Sequence, residues 1–138
     1  MKSGYEIFST TADGGFNIWA PDLAELFSQA GQALFAMMTD LNSVTVQKYF
    51  DISIDAPALE DLLVNWVNEL IYISEVHHVF IKEFRIVKIN QFKLLARVGG
   101  EPIDQQKHCF DSEVKAATYH NLSITQNDIY KATIVVDL

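Results

Sequence analysis

Two stretches of this chain repeat their apolar residues every three or four positions, while most of the remainder repeats every second position. That switch of period constrains the fold most. A 3.6-residue spacing buries one stripe of a helix, and a two-residue spacing buries one face of a strand. The first helical stretch covers residues 22–41, with Leu23, Leu26, Phe27, Ala30, Leu34, Met37, Met38 and Leu41 on one side. Asp22 and Glu25 stand three apart, as in a capping box with an acid at the cap. Gly31 is a poor helix former in mid-helix, which predicts the close approach of a strand there. The second stretch covers residues 57–75. Leu59, Leu62, Leu63, Trp66, Val67, Leu70 and Ile71 form its stripe, and Glu60, Asp61, Asn65, Asn68 and Glu69 its polar side. Pro57 suits the first helical turn, where a missing N–H costs nothing.

Alternation predicts strands over residues 15–20, 44–54, 79–87, 92–98, 114–124 and 129–136. In the third of these, Phe80, Phe84 and Ile86 fall on one face. The short polar Asn90-Gln91 join predicts a hairpin, residues 99–102 predict a break, and Gln126-Asn127-Asp128 join the last two strands. The expected architecture is α+β in the order β-α-β-α-β(n), as one domain over residues 1–138. Its two helices pack on a largely antiparallel β-sheet or open barrel. The recurrence of β-helix-β hints at an internal duplication.

Of the residues, 49% are hydrophobic and 20% charged, which supports a packed core and excludes a disordered chain. No apolar run approaches the roughly 18 to 20 residues that cross a bilayer. The N-terminus lacks a signal-peptide pattern, so a cytoplasmic location and no membrane partner are expected. A net charge of −8 speaks against stand-alone nucleic-acid binding and suits a basic partner or a held cation. The single cysteine, Cys109, excludes an internal disulfide and reads as an ordinary half-buried thiol.

Three segments hold candidate chemistry. The run ending in Val136-Asp137-Leu138 sets a side-chain carboxylate beside a terminal one at the tip of a strand. Such an anionic spot must be solvated, paired with a cation or filled by a metal. Asp13 lies in a turn-like Thr10-Thr11-Ala12-Asp13-Gly14-Gly15 segment, where it either bonds its own backbone or serves as a metal carboxylate. In Glu113 to His120, strand alternation would put Glu113, Lys115, Ala117 and Tyr119 on one face. Lys115 is then a surface lysine or a functional cation. His77-His78 reads as a helix C-terminus, where a protonated imidazole complements the dipole. No nucleophile elbow, P-loop, dinucleotide fingerprint or zinc spacing is present, and the residues by themselves point to no enzyme.

Taken together these segments resemble the archease family. The resemblance is carried by Thr11-Ala12-Asp13, the run from Ala33 to Leu41 with Met38-Thr39-Asp40-Leu41, the helix motif Leu59 to Leu70, Glu113-Val114-Lys115-Ala116-Ala117-Thr118-Tyr119-His120, and Val136-Asp137-Leu138. The chain departs from the family pattern at Thr10, where His is usual, and at Gly14-Gly15, which loosen the next strand. The resemblance implies a non-enzymatic cofactor of an RtcB-type RNA ligase, which joins RNA ends in tRNA splicing and RNA repair. The cofactor promotes guanylylation of the ligase histidine and multiple turnover. It also implies a divalent-metal site with Asp13 and Asp137 as ligands, an oxygen of Leu138 as a further donor, and Lys115 as the functional lysine. Oxygen-only donors suit a hard ion, Ca²⁺ first and Mg²⁺ second. The alternatives are a divalent-metal-dependent phosphoesterase and a metal-free chaperone or adaptor.

Overall fold

The computed structural model describes residues 3–9 and 13–138. The chain runs through β1 (Gly4–Ser9), β2 (Asp13–Ala20), α1 (Leu23–Met38), β3 (Lys48–Asp55), α2 (Leu59–His77), β4 (Val79–Ile89), β5 (Lys93–Pro102), β6 (Ala116–Ala117), β7 (Ser123–Gln126) and β8 (Tyr130–Asp137). One sheet has the order β1-β2-β8-β6, with β7 also paired to β8; the other is β3-β5-β4. Every strand pair is antiparallel. The fold is therefore α+β with two separate antiparallel sheets. The strands flanking α1 lie in different sheets and those flanking α2 share one, so the hinted duplication does not hold.

Both helices form where their stripes predict. α1 packs on β2 of one sheet and β4 of the other, and α2 bridges β6 and the three-stranded sheet. Asp22 caps α1 by accepting from the Glu25 N–H at 2.8 Å. The Glu25 carboxylate, instead of closing the capping box, accepts from Ser3 Oγ and Gln29 Nε2. α1 ends at Met38, three residues before the sequence limit, because Asp40 caps a short 3₁₀ turn over Leu41–Ser43. In α2 the cap is Ala58, so Pro57 lies just outside the first turn.

The helices and the second sheet meet at Phe84. Its ring lies 6.0 Å from that of Phe35 and edge-on to Trp66 at 6.4 Å. Gly31 faces this ring, and a Cβ added there would stand 2.5 Å from Phe84 Cδ1 and Cε1. The expected close approach is present. In Gly31→Ala, overpacking of about 1–3 kcal/mol should outweigh the roughly 1 kcal/mol gained in helix propensity. Urea denaturation should show a lower midpoint with an unchanged slope.

Several strand limits differ from the sequence expectation. β1 was not foreseen. It is an edge strand whose residues are half-buried or exposed, so it lacks the alternation that marks a half-buried strand. β5 continues through Gly99-Gly100-Glu101-Pro102 without a break. Phe92 falls in the hairpin turn and is exposed; there Asn90 Oδ1 accepts from the N–H groups of Phe92 and Lys93. A bulge between Ile81 and Glu83 turns Ile81 to the face of Phe84 and leaves Phe80 on the opposite face beside Glu101. Phe80 is nonetheless buried, because the segment after β5 folds over it. The expected 114–124 strand is only β6 plus β7. After Thr118, residues 119–122 leave the edge of β8 through Asn121, which adopts the left-handed conformation at φ 54° that Asn tolerates.

Candidate functional site

β8 lies inside its sheet, with β2 on one side and β6 on the other. Ala132, Ile134 and Val136 face the core, so Asp137 points to the opposite, solvent-facing side. In the β2–β8 register Asp137 stands directly across from Asp13, and in the β6–β8 register across from Ala116. Cross-strand partners in an antiparallel pair share a face. The two carboxylates thus sit side by side on the outer face at the end of the sheet. Like charges in that position repel, and the repulsion must be met by water, an ammonium group or a metal ion.

Asp13 is the first residue of β2, not part of a turn; Thr10, Thr11 and Ala12 lie outside the described residues. Gly14 and Gly15 belong to β2 and do not loosen it. A Cβ on Gly15 would run into the Ile134 carbonyl oxygen and the Phe8 ring, so only glycine lets the three strands close up here. Leu138 is half-buried, and its side chain packs on the core near Gly14 and Met37. Its backbone is left at the carboxylate end of the sheet.

Lys115 joins this corner through the main chain. Its N–H donates to the Asp137 carbonyl at 2.8 Å, and its side chain is exposed. The predicted shared face with Ala117 does not hold. Ala117 pairs with Val136 and is buried, whereas Lys115 precedes the two-residue strand and follows no regular alternation.

The segment carrying Lys115 is held from three sides. At the end of α1, the carbonyls of Met37 and Met38 accept from the N–H groups of Ser112 and Asp111 at 3.0 Å. They are among the last-turn carbonyls that a helix leaves without an internal partner. Thr39 Oγ1 donates to the Cys109 carbonyl at 2.9 Å. From α2, Asn68 Oδ1 accepts the Ala117 N–H at 2.8 Å and Asp61 accepts the Tyr119 hydroxyl at 2.6 Å. That hydrogen bond, more than burial, raises the Tyr119 pKa. Sequence reasoning missed these positioning residues. It put Asp61 and Asn68 on the polar side of a helix, and nothing in a single sequence separates a solvated polar side from one that holds a loop.

The third anchor is a clasp on Glu101, which is 5% exposed. Its carboxylate accepts from Lys107 Nζ at 2.6 Å and from the Thr45 N–H and Gln47 Nε2 at 2.9 Å. His108 Nδ1 accepts the Asp104 N–H, so the ring proton is on Nε2 and is given to Glu101 at 2.9 Å. The Lys107 hydrogen bond first, then that of the Thr45 N–H, with His108 adding, hold the Glu101 pKa down to about 2 against the opposing effect of burial. A depressed carboxylate pKa contributes stability that is complete above the unfolded value near 4.5 and is lost as pH falls toward 2. Acid titration of the native fold should therefore show a Glu101-dependent loss in that window, and Glu101→Gln should flatten it, as followed by circular dichroism.

Two expectations on single residues have different outcomes. Cys109 is exposed, not half-buried, because its segment lies on the surface. His77 does occupy the last turn of α2, with His78 as the left-handed cap.

Among the described residues no group of three or more His, Cys, Asp and Glu side chains is placed to hold a metal. The pair at Asp13 and Asp137 offers two carboxylates on neighbouring strands and no nitrogen or sulfur donor. This chemistry fits a hard ion such as Ca²⁺, which takes six to eight oxygens including main-chain carbonyls and water. Among the described residues no helix is long and apolar enough to cross a membrane.

The model of the archease protein family matches residues 5–138. Protein archease of Methanosarcina barkeri is 34% identical over 139 residues, covering 97% of this chain and 95% of the relative. The archease-like protein of Drosophila melanogaster is 33% identical over 140 residues, covering 97% and 90%. The solution structure of Methanobacterium thermoautotrophicum protein 1598 superposes with a TM-score of 0.77 at 32% identity, covering 98% of this chain and 99% of that one. A crystal structure from Thermotoga maritima, of an archease described as a possible chaperone, shares the fold with a TM-score of 0.70 at 20% identity, covering 95% and 94%. On the strength of a family match spanning nearly its whole length and relatives at about a third identity, this chain belongs to the archease family.

Proposed function

We propose that this protein is a non-enzymatic activator of an RtcB-type RNA ligase, promoting guanylylation of the ligase histidine and repeated turnover in cytoplasmic tRNA splicing and RNA repair. The observation that carries the reading is the register of Asp13 against Asp137, with the Lys115 N–H bonded to the Asp137 carbonyl, in a chain of this family. The two carboxylates, with an oxygen of Leu138, would hold one divalent cation, Ca²⁺ or Mg²⁺. When bound, that ion supplies positive charge at a tip that otherwise carries two adjacent negative groups.

The chain's own residues set up the rest. β2 and β8 fix the spacing of the two acids through eight consecutive register pairs, so little reorganisation is needed at the tip. The exposed Lys115 ammonium is available to a phosphate of the ligase-bound nucleotide or to balance the carboxylates. Guanylyl transfer moves negative charge among phosphate oxygens, so neutralising and aligning those oxygens are the main ways a helper protein accelerates it. The net charge of −8 suits a basic protein surface around a nucleotide site and disfavours independent RNA binding.

A second reading is a metal-free chaperone or adaptor, in keeping with the description of the Thermotoga maritima archease as a possible chaperone. Guanylylation of the partner ligase with Asp13→Ala, Lys115→Ala and Asp137→Ala separates the two. Loss of stimulation in all three supports the activator. Stimulation by all three equal to that of the unmutated chain contradicts it.

A further inference from the structure

A second surface lies beside the carboxylate tip. The segment over 110–113 runs past the end of α2 and the start of β4, leaving a groove of about 510 Å³. This is within the roughly 300–1,000 Å³ typical of pockets that bury a small molecule, and so leaves room for one large side chain. Its floor is apolar, from Met38, Phe80 and Ile103. One wall is the Phe110 ring, 55% exposed yet packed at a tilt against Phe80 with the ring centroids 5.8 Å apart. The rim carries the exposed carboxylates of Glu75, Asp111 and Glu113 beside the exposed His78, and among the described residues no lysine or arginine lines the groove.

Three features make this a recognition surface. A half-exposed phenylalanine fixed against a buried one offers apolar area at little entropic cost, as interface anchors do. Three acids around an apolar floor repel phosphate and complement a cationic rim. The wall is also rigid and continuous with the tip: Asp111 and Ser112 are bonded to the end of α1, and Glu113 stands two residues before Lys115.

We propose that this groove docks a protein segment in which one large apolar side chain is flanked by lysines or arginines. The apolar side chain rests on Met38 and Phe80 against Phe110, and its basic neighbours meet Glu75, Asp111 and Glu113. The inference rests on the function proposed above in one respect, that the segment belongs to the RNA ligase. The groove then supplies affinity and orientation, and the tip supplies the effect on guanylylation.

The test compares the unmutated chain with Phe110→Ala, the charge reversal Glu75→Lys/Glu113→Lys, and Asp137→Ala, all checked for unchanged melting. The altered groove residues are exposed, so folding should survive. Dissociation constants for the ligase are measured at low and high salt, and guanylylation rates at saturating activator. The groove variants should bind at least about tenfold more weakly but recover the full rate at saturation. The charge reversal should also lose most of the salt dependence. Asp137→Ala should bind within about threefold of the unmutated chain and fail to stimulate. Groove variants that bind like the unmutated chain overturn the docking surface and leave the activator reading intact. An unmutated chain that binds through the groove but does not stimulate overturns the activator reading alone. No binding by the unmutated chain overturns both, and a self-association lost in Phe110→Ala would assign the groove to a second copy and overturn the proposal.

Discussion

Replacing Asp137 by Asn should lower stimulation of ligase guanylylation by on the order of 100-fold, the usual cost of losing one preorganised electrostatic group. The change keeps the size of the side chain and the β8 register. It removes one of two carboxylates that face each other across β2 and β8. Without divalent cation, the melting temperature of Asp137→Asn should therefore equal or exceed that of the unmutated chain, since a like-charged cross-strand pair is relieved. A structural role would have the opposite signature, with activity and stability falling together. Asp13→Asn should likewise lose stimulation. Lys115→Ala should lose stimulation while leaving both cation binding and stability near normal, because its side chain is exposed and its fold contact is made by the main chain.

The largest effect on stability should come from Trp66→Ala, at about 3–5 kcal/mol. Trp66 is fully buried in α2 and lies edge-on to Phe84, the ring on which both helices and the second sheet converge. Its Nε1 donates to the Phe27 carbonyl at 2.9 Å, so truncation also leaves a buried acceptor without that donor. Against a net stability of roughly 5–15 kcal/mol for a domain, this is a large fraction. Trp66→Phe separates the two causes, since it keeps most of the apolar volume and removes the hydrogen bond. Urea unfolding should place it between the unmutated chain and Trp66→Ala. A Trp66→Ala midpoint close to that of the unmutated chain would show that the junction at Phe84 is not the centre of the core.

Much of this arrangement was legible before the fold was known. Both helices, the β4–β5 hairpin and the close approach at Gly31 follow from periodicity and from residues with narrow conformational preferences. Strands failed where burial did not alternate. β1 is an edge strand with one side on β2 and the other on solvent, and Phe80 changes face at a bulge that no local pattern announces. Residues 114–124 look continuous because Val114, Ala116, Thr118 and Leu122 are compatible with a strand, yet Asn121 turns the chain away from β8.

The candidate site was readable in its parts but not in its assembly. That Asp13 and Asp137 are acids near strand ends is in the sequence; that they stand opposite each other is a matter of register between elements more than 100 residues apart. The resemblance to archeases named the residues. The support beneath Lys115 stayed hidden, because Asn68, Asp61 and Thr39 act through single hydrogen bonds to a segment distant in the chain.

Calorimetric titration with Ca²⁺ of the unmutated chain, Asp13→Asn and Asp137→Asn tests the central claim most directly. If the facing carboxylates form one cation pocket, the unmutated chain binds one ion and its melting temperature rises with calcium concentration, while each variant loses both responses. Binding by either variant with the stoichiometry and affinity of the unmutated chain, or no binding by the unmutated chain, would contradict the account.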